Sequence, residues 1–213
     1  MKHRLSTTAV LLALALAAGA AAQELAPVQL PAPQTEGGKP LMQALKLRAT
    51  ARAFAPDPLP EQTLSNLLWA AWGINRPQEG RRTAPSARNW QEIDVLVVNA
   101  KGAYAYDAKG HALVPLAAGD FRPLTGTQDF VKDAPVTLVL VADTARMQAG
   151  ADPKPMAYAD AAFVSQNVYL FCASEGLATG VRASVDREAL GKALKLRETQ
   201  LVVFAQSVGF PKR

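Results

Sequence analysis

Apolar positions recur with two periods along this chain. Between Ala157 and Glu175 there is neither Pro nor Gly, so the stretch can run as one unbroken helix. Its length would be about 28 Å at 1.5 Å per residue. Ala161, Val164, Val168, Phe171 and Cys172 recur at spacings of three and four, the mark of a buried helical face. The other side carries Ala162, Phe163, Tyr169 and Leu170 instead of charges. A helix apolar most of the way round is buried on most sides. It is either a central helix or part of a subunit interface, and plain core packing accounts for the stripe equally well. Gly176 suits its C-terminal cap. LATGVRAS then reads as a strand, and Asp186 caps a short amphipathic helix to Leu194.

The same patterns organise the rest of the chain. Leu41, Ala44 and Leu45 give helical spacing over 39–47. Pro58 and Pro60 open a helix whose face is Leu64, Leu67, Leu68, Trp69 and Trp72, ended by Gly73. IDVLVV (93–98), VTLVLVA (136–142) and QLVVFAQSV (200–208) are apolar runs of buried strands. AYAYD and HALVPL follow glycine turns as an antiparallel meander, with Tyr104 and Tyr106 on one face. A short helix is expected over 127–132. The sum is an α+β fold, a central and mostly antiparallel sheet flanked by helices. Two stretches fit neither period. Residues 74–91, INRPQEGRRTAPSARNWQ, are too polar and rich in Pro and Gly for regular structure. Their length favours a functional loop, with a plain surface loop as the alternative. Residues 143–155 form a candidate flap before the long helix.

The N-terminal end reads differently. Lys2, His3 and Arg4 precede an apolar run from Ala9 to Ala17 that is too short to span a bilayer. Ala20–Ala22 makes a small-residue cleavage site. Residues 1–22 are therefore expected to be a Sec-type signal peptide, cut after Ala22, which sends the protein to the periplasm or outside. Neither a twin arginine nor a lipobox cysteine is present, so no stable membrane anchor is expected. Residues 23–40 read as a flexible lead-in, with a strap on a partner subunit as the alternative. One domain covers 41–213.

Composition narrows the chemistry. Removing Lys2 and Arg4 lowers the formal charge from +5 to +3, enough to favour a phosphate-bearing ligand. There are no Lys/Arg runs and no RNA-binding motif, so nucleic acid is not an expected partner. Cys172 is the single cysteine, and His111 is the one histidine after residue 22. That leaves no histidine-rich or cysteine-rich metal site, and no metal is expected. No G-x-S-x-G elbow, P-loop or G-x-G-x-x-G loop occurs. An enzyme of this composition would lean on a bound cofactor.

Two segments carry candidate ligand chemistry. Arg48 and Arg52, four apart with Thr50 between them, can converge on one anion, because a guanidinium binds phosphate as a planar fork. The alternative is two solvated arginines. Pro85-Ser86-Ala87 offers small side chains and free backbone N–H groups to a flat ligand, with Arg88 and Asn89 able to read polar edges. Lys212 and Arg213 read on their own as a frayed tail.

Together these boxes resemble the FMN-dependent nitroreductase family. The match lies in their order. An R-x-[ST]-x-[RK]-x-F box is present at Arg48, Thr50, Arg52 and Phe54, and P-S-[SA]-x-N at Pro85, Ser86, Ala87 and Asn89. The long helix follows with Asp160, Gln166, Asn167 and the Glu175–Leu177 exit. A final strand runs into Gly209, Pro211, Lys212 and Arg213. LLWAAWGINR with RRTAPSARN is especially similar to the branch that includes azoline (thiazole/oxazole-forming) dehydrogenases. The resemblance implies an α+β sandwich homodimer with two FMN sites at its interface, the long helix in the interface core, and hydride transfer through flavin N5 in a ping-pong cycle. Nitroaromatics or quinones are the implied kind of small substrate. It implies that Arg48, Arg52, Lys212 and Arg213 bind the FMN phosphate with a hydroxyl from Thr50. Pro85–Ala87 would line the ring, and Asn89 would contact its polar edge. No side chain is obliged to do acid/base chemistry. Ala183 and Ser184 stand where the family's ring-facing turn commonly has glycine, and Arg182 is a candidate for the ring's N1–O2 side. An exported protein does not meet NAD(P)H. Either its donor is different, or it oxidises a substrate and passes electrons on, or it is a non-catalytic flavin- or phosphate-ligand-binding protein on this scaffold.

Overall fold

A computed structural model describes residues 25–148, 150 and 152–212. The expected signal peptide and Arg213 lie outside the described residues. In chain order the elements are β1 (Val28–Gln29), α1 (Leu41–Leu47), α2 (Glu61–Trp72), β2 (Ile74–Arg76), β3 (Arg81–Arg82), β4 (Ile93–Asn99), β5 (Gly102–Asp107), β6 (Ala112–Ala118), β7 (Val136–Asp143), α3 (Lys154–Glu175), β8 (Ala178–Arg182), α4 (Arg187–Ala193) and β9 (Gln200–Gly209). Seven strands form one sheet in the order β1-β6-β5-β4-β7-β9-β8. Every neighbouring pair in it is antiparallel. This is the expected α+β architecture.

The sheet is buried on both faces. One face packs Val95, Val97, Leu138, Leu140 and Val203 against Leu67 and Leu68 of α2 and Val164 and Val168 of α3. The other packs Leu96, Val98, Val139, Val141 and Val202 against Leu190 and Leu194. The central strand β7 is buried at all 8 of its positions, which is why it reads as a continuous apolar run. Its one hydroxyl in that run, Thr137, is matched by Ser207 Oγ at 3.1 Å across the ladder. Both meander tyrosines join the helix-covered face, as their alternation predicts.

The long helix meets its expectation in part. Ala161, Val164, Val168 and Cys172 are buried, and Gly176 ends the helix in the left-handed region at φ 73°. Within one chain, however, the opposite side is covered at Tyr169 and open at Ala162 and Phe163. Phe163 is 48% and Met156 42% exposed, and α1 beside it leaves Leu41 62%, Met42 76% and Leu45 43% exposed. α1 packs on α3, so these exposed apolar side chains lie on neighbouring helices.

Two expectations are corrected. The lead-in is packed, not loose. β1 pairs with β6, Leu30 is buried, Gln34 N–H donates to Asn66 Oδ1 at 2.8 Å, and Lys39 N–H donates to Ser174 Oγ at 2.8 Å. It therefore straps its own chain. Residues 74–82 are not irregular either. β2 and β3 form a hairpin, with Gly80 supplying the positive φ of its turn. The short helix expected at 127–132 is a 3-10 turn, Asp129–Lys132. Among the described residues no helix is long and apolar enough to cross a membrane.

Candidate functional site

Arg48 caps α1, donating its N–H to Ala44 O at 2.9 Å. From there the chain runs extended along the free edge of β8, where Ala51 N–H donates to Thr179 O at 2.8 Å. Gly180 permits this approach, since a Cβ there would stand 2.6 Å from Ala51 O. Phe54 is buried and bridges Pro211, Ala55 N–H donates to Phe210 O at 2.9 Å, and Lys212 N–H to Ala53 O at 3.4 Å. The two ends of the domain are thus laid side by side, so that Arg48, Thr50, Arg52 and Lys212 share one exposed ribbon.

Tyr169 of α3 anchors that ribbon. Its hydroxyl lies 3.0 Å from Thr50 Oγ1 and accepts the Val181 N–H at 3.1 Å, while the Arg48 guanidinium stands over its ring at 5.3 Å. With Val181 N–H on its oxygen, Tyr169 can donate to Thr50, which frees the Thr50 proton for a ligand oxygen. Among the described residues Arg48, Arg52 and Lys212 form no ion pair. Three exposed cations and a hydroxyl without an internal anion fit a phosphate group.

The segment 85–92 is built in the opposite way. Arg88, Asn89 and Gln91 all have left-handed φ, at 50°, 56° and 50°. For residues with a Cβ that costs about 1 kcal/mol or more each, so the surroundings must hold it. Ser86 Oγ accepts the Gln91 N–H at 3.0 Å. Buried Asp160 of α3 accepts the Ala87 N–H at 2.7 Å. Arg146 donates to Gln91 O and Glu92 O, both at 2.9 Å, and Arg88 contacts Gln148. The candidate flap is thereby clasped onto the loop. The expectation of free backbone donors over 85–87 is corrected at Ala87, whose N–H is taken, and the N–H groups of Asn89, Trp90 and Gln91 beyond it are taken as well. What the loop offers a ligand is the surface of Pro85, Ser86 and Ala87 and the amide of exposed Asn89.

Ala183 and Ser184 are exposed just beyond β8, and Ser184 O accepts the Thr127 N–H at 3.3 Å. Arg182 does not serve there. It is buried and donates to Thr125 O at 2.9 Å, Thr125 Oγ1 at 2.8 Å and Ser207 Oγ at 2.9 Å. Burial without a carboxylate partner lowers its pKa to about 10. Within one chain, then, the structure joins Arg48, Thr50, Arg52 and Lys212, and separately orders 85–89. The two groups are anchored at Tyr169 and Asp160, nine residues or about 13 Å apart along α3.

The profile of the nitroreductase family matches residues 45–210. The chain belongs to the nitroreductase family. It is 41% identical to a protein of Ralstonia eutropha JMP134 that is provisionally named a nitroreductase and has a solved structure. That match has a TM-score of 0.84 and covers 88% of this chain and 90% of that one. A protein of Methanocaldococcus jannaschii, also provisionally named a nitroreductase, is 29% identical over 169 residues, 73% of this chain and 84% of its own length. A chain of the E. coli microcin synthetase McbBCD complex, solved with truncated pro-MccB17 bound, shares the fold. It has a TM-score of 0.68 and 19% identity over 84% of this chain and 76% of that one.

Membership of the family does not by itself single out the residues that hold these segments. Tyr169 was legible only as an apolar position, yet its hydroxyl ties Thr50 to β8. Asp160 entered only as part of a motif. Glu92 gave no signal beyond an acid at the start of a buried strand, and Arg146 gave none. The contacts that matter here, Arg146 with Gln91 and Glu92 with Asp160, join residues more than fifty apart in sequence.

Proposed function

We propose that this nitroreductase-family oxidoreductase is an exported, FMN-dependent enzyme that passes a hydride to or from a small organic substrate such as a nitroaromatic or a quinone. The observation that carries the reading is the ribbon of Arg48, Thr50, Arg52 and Lys212, whose charges have no internal anion among the described residues. In this reading the two guanidiniums, the Thr50 hydroxyl, Lys212 and Arg213 take the FMN phosphate. Pro85–Ala87 line the ring, and Asn89 contacts its polar edge. Ala183 and Ser184 complete the pocket. Bound FMN supplies the hydride chemistry, and these side chains bind, orient and exclude water.

The site is composite. The phosphate ribbon and the ring-facing loop attach to different parts of α3, and the open face of α1 and α3 offers the apolar surface for a second copy. A homodimer packed there brings one chain's ribbon toward its partner's loop. The motif likeness is to the azoline dehydrogenase-like branch, and a compartment without NAD(P)H calls either for another donor or for a substrate that is itself oxidised. A flavin-binding role without turnover is the second reading, favoured by the side chains of Ala183 and Ser184 where the family's turn is commonly glycine.

Replacing both arginines, R48A/R52A, tests the ribbon. Each charge-assisted hydrogen bond contributes about 1.5–3 kcal/mol, so FMN affinity should fall on the order of a hundredfold or more while the melting temperature holds. Isothermal titration with FMN reads it, and an unchanged affinity removes these residues from the site.

A further inference from the structure

Behind the ring-facing loop the chain buries two carboxyl groups side by side. Glu92 is fully buried, and neither of its side-chain oxygens has a fixed hydrogen-bond partner. Asp160, buried on α3, is its neighbour and spends Oδ2 on the Ala87 N–H at 2.7 Å. The other charges facing the pair are few. Arg146 reaches the Glu92 backbone O at 2.9 Å, but it is already paired with Asp94 at 2.6 Å and Asp143 at 3.7 Å. Asp143 in turn gives its N–H to Glu92 O and takes Arg197 on its carboxylate.

Two ionised carboxylates cannot sit together in so dry a place, because both desolvation and mutual repulsion favour a proton on one of them. Burial first, and the hydrogen bond that a protonated Glu92 can give to Asp160 second, raise the Glu92 carboxyl to about 7. A protonated Glu92 is a donor, and Asp160, held by Ala87, is an acceptor. One shared proton therefore gives both acids a partner and leaves no orphaned oxygen pair facing another negative charge.

We propose that Glu92 is a positioning residue: the proton it shares with Asp160 keeps Asp160 on the Ala87 N–H and so keeps the loop 85–91 in its left-handed form. When Glu92 ionises, its O–H bond breaks, the proton goes to solvent and the electron pair stays on Glu92. Nothing is oxidised or reduced. Asp160 then faces a second negative charge and loosens from Ala87, and the loop loses its clamp. The proposal takes from the functional reading only that this loop faces the ligand.

The test is made on the flavin-free protein. Infrared spectra recorded against pH read the carbonyl stretch of a protonated carboxylic acid, and the ¹⁵N-labelled Ala87 amide reads its bond to Asp160. The wild type should show an acid band that fades as pH rises through about 7, with the Ala87 amide shifting at the same midpoint. Glu92→Gln should abolish the band and hold Ala87 fixed across that range, because its amide donates to Asp160 at every pH. Glu92→Leu, which has neither a donor nor a charge, should abolish both the acid band and the titration of Ala87 through this range. An acid band that is missing in the wild type, or that survives in Glu92→Gln, overturns the proposal. So does an Ala87 titration that is the same in both proteins. A failure to bind FMN would sink the functional reading and leave these readouts unaffected.

Discussion

The two halves of the candidate site are built on opposite principles. The phosphate ribbon is open: its cations are exposed, its backbone is borrowed from a sheet edge, and only Tyr169 stands behind it. The 85–91 loop is closed: strained residues are locked by buried Asp160 and by Arg146, and most of its donors are taken. A phosphate needs charge and tolerates positional slack, because guanidinium forks on long stems adapt to it. A flat ring that must meet its substrate at one atom needs rigid walls. On the proposed reading, the chain places its strain where position matters and its free charge where it does not.

The largest break in this comparison comes from separating two copies. Glutamates at Met42 and Leu45 should leave the fold intact, since both side chains are exposed in one chain, yet produce a monomer. If the site is composite, FMN retention falls with the dimer by a hundredfold or more, read by sedimentation and equilibrium binding. A monomer that binds FMN normally would mean one chain holds both halves. Next is Asp160→Ala, which strands the Ala87 N–H and frees the strained loop. Stability should fall by about 1–3 kcal/mol, with faster amide exchange confined to 85–91. Tyr169→Phe attacks the open half and should do less. Loss of the hydroxyl costs about 1 kcal/mol and weakens FMN binding about fivefold without loosening the loop.

The smallest effect lies outside both halves and serves as a control. Ser65 Oγ donates to Pro31 O at 2.6 Å, so His111 Nε2 donates to Ser65, and Nδ1 accepts from Tyr106 at 2.9 Å. Burial lowers the His111 pKa below its ordinary 6.5. The unfolded chain therefore takes up the proton first. The stability contributed by neutral His111 is complete above 6.5 and is lost as pH falls through the folded value. His111→Gln should flatten the acid limb of a urea-unfolding profile and leave FMN affinity alone.

How much of this was legible depended on the range of each interaction. Helices and strands follow from local periodicity, so α3 and the runs at 93–98, 136–142 and 200–208 stood out. The ribbon was legible because its chemistry is compressed into Arg48–Arg52. The lead-in was misread because its composition is that of a linker, while its order comes from distant partners: β6, Asn66 and Ser174. Arg182 was misassigned because a lone arginine in sequence looks available, whereas burial against Thr125 and Ser207 occupies it. The clamp of Asp160, Glu92 and Arg146 was invisible for the same reason. Each is an ordinary polar residue until the fold brings it behind the loop.

The most direct test of the central claim is the visible spectrum of the purified protein after incubation with FMN and desalting, before and after dithionite. The account predicts flavin absorbance that elutes with a dimer, bleaches on reduction and returns in air. A folded, dimeric and colourless protein would contradict it and leave the Arg48–Arg52 ribbon and the 85–89 loop as scaffold without a cofactor.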